Sequence, residues 1–339
     1  MKHLVRIVPL LIAMAAFLSG CSGGAQWHRA EGSVWNTLYS IEYRSDRQLD
    51  DSIQMVMRQV ELSLSAFNPE STVSRVNRST TPETVDPMFT EVFLASQRLN
   101  AYSSGLFDPT VSPLINLWGF GYKGHTDTVP DAEAIASALL SIGIGECRIT
   151  NDTLYKKSGT TEFNFSAIAK GYGCDRIGTM LTRNGCIDYK VEIGGEIALN
   201  GQNRRGTDWR IMIDAPVACD TIHHESLGIL SLSHGGIATS GSYRNYHDTS
   251  EGRRSHTINP ATGYPLEHDA TAARQVSATV IAVSAMEADG LATACMAMDS
   301  NAAIAMIESV DGAEALLVIP ADNGEWILLR TSGFPEISR

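Results

Sequence analysis

The chain has no excess of positive charge. Its 339 residues carry 26 Lys and Arg against 38 Asp and Glu, a formal net charge of −12. A nucleic-acid binder needs a basic surface, so that class is excluded. A polybasic grip on a membrane is excluded for the same reason. No internal repeat, low-complexity tract or proline-rich linker is present, which sets repeat arrays aside. There is no C-x-x-C and no Cys/His spacing of the zinc kind. After Cys21 come Cys147, Cys174, Cys186, Cys219 and Cys295, an odd set that leaves a thiol unpaired unless it bridges chains. Cys174 and Cys295 sit in apolar, helical-looking runs and read as small buried hydrophobes. A disulfide between some pair is compatible with export, and the spacing selects none. The G-x-S-x-G, H-E-x-x-H, G-x-G-x-x-G and P-loop signatures are also missing.

Long hydrophobic runs are scarce. Lys2 and Arg6 precede an apolar run from Ile7 to Leu18, well short of the roughly 20 residues a membrane span needs. A basic start, a short apolar core and small residues make a secretory signal. LSGC (18–21) places Cys21 in the lipobox pattern of bacterial lipoproteins. The expectation is a signal peptide over 1–20, acylation of Cys21, and an exported protein held by lipid on the periplasmic face of a bacterial membrane. An ordinary signal peptide with a coincidental Cys is the alternative. Residues 21–32 then read as a tether, and 33–339 as one folded domain. Its 43% hydrophobic content is enough for a substantial core.

Along the chain, Ser33 to Tyr43 is strand-like. Ile53, Val56, Met57, Val60 and Leu64 recur at helical spacing, predicting a helix over 50–67. Further helices are expected over 86–103, 131–142 and 168–183. The segment GLFDPTVSPLINLWGFG (105–121) reads as a loop with bulky anchors. Strands are expected at 161–165, 191–193, 209–213, 229–231, 237–239 and 278–283. A closing pair, 315–319 and 326–329, is joined by a turn at 321–324. Helices and antiparallel-looking strands mix without strict βαβ alternation, so the fold class is α+β.

Several segments carry possible chemistry. In EADGLAT (287–293), Asp289 and Thr293 lie one helical turn apart and share a face. A carboxylate beside a hydroxyl suits a hard cation such as Mg²⁺. Helix capping by Asp289 and back-bonding by Thr293 explain the pair at least as well. NFSAIAKGYGCD (164–175) puts Lys170 and Gly171 at a helix start, where backbone N–H groups and an ammonium can meet an anion. VEIGGEI (191–197) brings Gly194 and Gly195 after a strand, for a ligand's close approach or for a tight turn. His256 sits in SHTINPATGYP (255–265), between basic residues and turn formers. It is placed either as a general base or as an exposed loop histidine.

These segments, with ATSGSYRNYH (238–247) and SHTINPATGYPLEH (255–268), stand in the order and approximate spacing of the ApbE family, the FAD:protein FMN transferases. The resemblance runs from about Ser33 to the C-terminal strands. It implies an α+β domain of mixed, largely antiparallel strands that binds FAD and Mg²⁺. It further implies cleavage of the FAD pyrophosphate, transfer of FMN to a Thr hydroxyl of an acceptor protein, and release of AMP. The acceptor implied is a membrane-associated redox protein. Carried over by motif, the metal ligands are Asp289, Thr293 and the Ala167 carbonyl, and His256 is the base. FAD contacts map to Trp35, Phe67, Leu106, Phe107, Asp108, Asn164, Lys170 and Ile258. The chain departs from the family pattern in four places. Trp35-Asn36-Thr37 replaces Met-Gly-Thr, Asn164 replaces a common Asp, Phe67 replaces a frequent Tyr, and Ala292 stands where some members carry Asp. Two other readings stand beside it: an Mg²⁺-dependent FAD pyrophosphatase, which differs only in that water attacks in place of a protein Thr, and a flavin-binding lipoprotein without turnover, which would have no need of His256 as a base.

Overall fold

A computed structural model describes residues 24–124, 128–216, 226–241, 246–249, 252–255, 257–266, 275–321 and 323–338. The expected signal segment, Cys21, Cys219 and His256 lie outside the described residues. Strands β1 (Gln26–Val34) and β2 (Thr37–Ser45) pair antiparallel, from Gln26 with Ser45 to Val34 with Thr37. Trp35 and Asn36 form the intervening turn at φ 49° and 60°, the left-handed pair of a type I′ hairpin. Two expectations are corrected here. The single strand over 33–43 is a hairpin, and residues 26–32, assigned to a tether, are most of its first strand. Ala30 is buried there, and every residue of β1 has a partner on β2.

Next come α1 (Asp50–Leu64), α2 (Thr72–Arg78), β3 (Glu83–Thr84), α3 (Pro87–Tyr102), α4 (Ser112–Leu117), α5 (Ala132–Leu139), β4 (Arg148–Thr150) and β5 (Thr153–Tyr155). Then follow α6 (Ala169–Arg183), β6 (Tyr189–Ile193), β7 (Glu196–Asn200), β8 (Trp209–Asp214), β9 (Ser226–Leu232), β10 (His234–Gly241), β11 (Tyr246–Thr249) and β12 (Gly252–Ser255). The last elements are β13 (Ser277–Ala282), α7 (Ala285–Met296), α8 (Ser300–Glu308), β14 (Glu314–Pro320) and β15 (Trp326–Arg330). Helix α1 buries Ile53, Met57, Val60 and Leu64, the predicted stripe. Asp86 caps α3 by accepting from Met88 N and Phe89 N, with Pro87 as the first helical residue. Pro113 likewise sits at the start of α4, a short helix where a loop was expected.

The central sheet has eight strands in the order β1-β2-β6-β7-β10-β13-β14-β15. Every neighbouring pair in it is antiparallel. The α+β reading with antiparallel strands holds. Successive residues of the inner strands serve different cores. Ile197, Ile237 and Leu316 pack with the β8–β9 hairpin on one face. Ala198, Ala238 and Leu317 face the helices on the other. Strand periodicity demands this alternation.

On the helical face, α6 and α7 exchange carboxylates. Asp175 of α6 accepts from Ala285 N at 2.9 Å and Met286 N at 2.8 Å, the first N–H groups of α7. Asp289 of α7 accepts from Gly171 N at 3.0 Å, in the first turn of α6. N–H groups at helix starts lack intrahelical partners, so each carboxylate satisfies the other helix. The crossing is close. A Cβ on Gly171 would lie 2.2 Å from the Ala285 carbonyl oxygen, so only glycine fits.

Beneath α3 lies an aromatic cluster. Phe89, Phe93, Phe163 and Phe165 are fully buried, and Phe89 meets Phe163 and Phe165 edge-on at 5.9 and 5.2 Å. This corrects the strand expected at 161–165. Among the described residues its only ladder contact is the isolated bridge between Val111 and Glu162, and its phenylalanines fill the core instead. The described cysteines, Cys147, Cys174, Cys186 and Cys295, are free and buried.

Replacing Phe89 by Ala should cost about 3–5 kcal/mol, the range for emptying a buried aromatic site. Urea denaturation measures it, and a loss below about 1 kcal/mol would show that the cluster is not close-packed. Asp175 gives a pH test. Burial lifts its pKa to about 6 from 3.8, although Met286 and Ala285 pull it down. A folded value above the unfolded one means the native state binds this proton more tightly. The associated stability is complete below about pH 4 and is lost as pH rises through about 6. Asp175→Asn should flatten the stability curve over that window, and should lose about 1–3 kcal/mol because one α7 donor is left unpaired. Unfolding midpoints from pH 4 to 7 decide it; an unchanged slope refutes the assignment.

Candidate functional site

The Trp35–Asn36 turn and a second two-residue turn, Gly194–Gly195, border one cavity of about 920 Å³, within the range of cofactor-sized pockets. The second turn closes the β6–β7 hairpin, with Ile193 paired to Glu196. Both glycines have positive φ, 68° and 103°, so the tight-turn reading holds for their conformation, and both also line the cavity.

Every described residue of the predicted site borders this cavity: Trp35, Phe67, Leu106, Phe107, Asp108, Asn164, Ala167, Lys170, Ile258, Asp289 and Thr293. They come from segments far apart in sequence. Asp289 and Thr293 lie one turn apart on α7, as their spacing predicts. The capping explanation of Asp289 holds in an unexpected form, because the helix it caps is α6. Thr293 Oγ1 lies 3.4 Å from Ser240 Oγ, on β10. The anion that meets Gly171 N–H is Asp289 itself.

Lys170 projects from the first turn of α6, and its Nζ lies 2.5 Å from Glu196 Oε1. Burial opposes the Lys170 charge, but Asp289 and Glu196 outweigh it and the pKa is raised. Burial also pushes Asp289 and Glu196 upward, with Lys170 restraining both. Glu196 is missing from the sequence-predicted set. The signal was a lone acid at the head of an apolar stretch, EIALN, whose first four residues are buried.

The remaining residues differ in how committed they are to the fold. Asp108 accepts from Thr110 N at 2.8 Å, Thr110 Oγ1 at 2.6 Å and Ile144 N at 3.0 Å. Burial raises its pKa, with Thr110 and Ile144 restraining it. Its carboxylate therefore ties the 106–110 segment to the following chain, whatever else it meets. Asn164 Oδ1 accepts from Ser166 N at 2.9 Å, shaping the approach to α6. Phe67 is 63% exposed at the rim. Ile258 packs with Leu114, Trp118 and Ile135. Trp118 Nε1 donates to the Gly263 carbonyl at 2.8 Å and so pins the turn that follows His256. The Trp35 ring packs where a Cβ on Gly173 would come within 2.5 Å of it, and its Nε1 is buried with no partner among the described residues.

The donor set fits a hard cation. Among the described residues, no cluster of three or more His, Cys, Asp or Glu is placed to hold a metal. The three predicted donors that line the cavity are the buried Asp289 carboxylate, the Thr293 hydroxyl and the backbone at Ala167, all of them oxygen.

Comparison with known proteins gives the family. The sequence matches the ApbE family over residues 35–317. An FAD:protein FMN transferase of Vibrio cholerae is 36% identical, covering 93% of this chain and 94% of its own. One from Haemophilus influenzae is 31% identical, covering 100% and 99%. Among solved structures, the flavin transferase ApbE of Vibrio cholerae superposes with a TM-score of 0.80 at 34% identity, covering 92% of this chain and 99% of its own. The apo flavinyl transferase ApbE of Pseudomonas stutzeri gives 0.80 at 32% identity, covering 91% and 95%. By sequence along most of its length and by fold, the chain belongs to the ApbE family.

Proposed function

We propose that this protein is an FAD:protein FMN transferase that moves FMN from FAD to a Thr hydroxyl of an acceptor protein and releases AMP, with Mg²⁺ bound at Asp289, Thr293 and the Ala167 carbonyl. One observation carries the reading: a buried carboxylate and a lysine ammonium lie on adjoining helix turns of one cavity sized for a nucleotide. The relatives that match it nearly end to end are FAD:protein FMN transferases.

In this reading Lys170 meets the phosphate oxygens as a point charge. Asp108 and Asn164 shape the loops that flank the ligand, and Phe67 offers a ring at the rim. Bound Mg²⁺ supplies neutralisation of charge on the pyrophosphate. His256 takes the proton of the acceptor hydroxyl as its oxygen bonds to the FMN phosphorus, and the P–O bond to AMP breaks with the electron pair leaving on AMP. A lipid on Cys21 holds the enzyme at the membrane beside a membrane-associated redox acceptor. A Cys21→Ser variant should leave the membrane fraction on centrifugation; retention there would refute lipid anchoring.

The test is incubation with FAD, Mg²⁺ and a candidate acceptor, read by mass spectrometry for an FMN adduct on Thr. Asp289→Ala or excess EDTA should abolish the adduct and AMP release, and full activity in EDTA would remove the metal. His256→Ala should slow transfer by about 10²–10⁴-fold, the usual worth of a positioned base, with FAD affinity nearly unchanged. Equal losses of affinity and rate would defeat the base assignment. Free FMN without adduct would make the enzyme a pyrophosphatase.

A further inference from the structure

Glu196 is a buried acid in an apolar strand. It opens β7, pairs with Ile193 across the Gly194–Gly195 turn, and is 4% exposed. A buried carboxylate is costly unless its lone pairs are used. Here one oxygen is used and the other is not. Oε1 lies 2.5 Å from Lys170 Nζ. Oε2 is buried with no hydrogen-bond partner among the described residues, and lies 3.2 Å from where a Cβ on Gly194 would stand. A carboxylate kept only for stability would have both oxygens satisfied. This one is half satisfied, beside the cavity, and its satisfied half holds Lys170, one of two lysines that line it.

The geometry of the two elements explains the choice. Lys170 sits on a long flexible stem in the first turn of α6, and left alone it would sample many positions. Glu196 is fixed by the β6–β7 ladder one residue past a rigid turn. We infer that Glu196 is a positioning residue. It holds the Lys170 ammonium at one place in the cavity, so that the charge is already aimed when negative charge develops on the transferring phosphate. Charge that needs no reorganisation during the reaction is what stabilises a transition state. The inference rests on the phosphoryl-transfer reading above.

The experiment compares wild type, Glu196→Gln, Glu196→Asp, Lys170→Met and the Glu196→Gln/Lys170→Met double variant. Thermal melting, FAD affinity by fluorescence, and the FMN-transfer rate are measured for each. Glu196→Gln should melt within a few degrees of wild type and bind FAD within about threefold, yet turn over about 10–100-fold more slowly, the usual loss when an orienting group is removed. Glu196→Asp keeps the charge but retracts it by one methylene, so its rate should fall between. The double variant should be no slower than Lys170→Met alone, because Glu196 acts through that lysine. Losses that multiply in the double variant overturn the inference. So does a Glu196→Gln rate within twofold of wild type, or a Glu196→Gln chain that fails to fold, which would make the residue structural. Wild type that binds FAD without transferring FMN overturns the functional reading and this inference together. Normal transfer by Glu196→Gln overturns the inference alone.

Discussion

The paired contact between α6 and α7 is the constraint on which the site depends. Each helix start is completed by a carboxylate of the other, through Asp175 in one direction and Asp289 in the other. The exchange needs the helices close enough that residue 171 has no room for a side chain. That closeness delivers Asp289 to the beginning of α6, where Lys170 also projects. Separating the helices by the width of one methyl group would dissolve the juxtaposition even if every side chain remained.

The same contact sets the electrostatics. Asp289, Glu196 and Lys170 gather within a buried corner, where unlike charges attract more strongly than in water and each is costly alone. Two acids share one ammonium there, and burial works against the ionised form of each acid. A hard cation would favour that form, and a polyphosphate would find both the cation and the lysine. The fold supplies the stiffness this needs. The phenylalanine cluster supports the chain entering α6, and the antiparallel sheet fixes Glu196 from the opposite side.

Much of this was legible in the residue pattern, for identifiable reasons. α1 shows itself because Ile53, Met57, Val60 and Leu64 repeat with the helical period. α7 shows the Asp289–Thr293 face for the same reason. Where the pattern misled, tertiary packing had the final say. Residues 161–165 have strand-like composition, yet their phenylalanines answer to α3. β7 is hidden because it opens on a charged residue directly after two glycines. The Trp35–Asn36 turn is hidden because bulky residues rarely take positive φ. The target of Asp289 was out of reach as well: a carboxylate that caps a helix more than a hundred residues away leaves no local signature.

The two turns at the cavity rim carry a consequence for how this site can diversify. Both are two-residue hairpin loops, one at 35–36 and one at 194–195. Such loops have no slack. One inserted or deleted residue would slip the strand register and turn each side chain beyond it to the opposite face. Length variation, the usual route by which surface loops acquire new ligand preferences, is closed at this edge. Variation is confined to side-chain identity at positions that tolerate a left-handed backbone. Trp35 is such a position, and exchanging it would remodel the wall of the cavity while leaving the ladder behind it untouched.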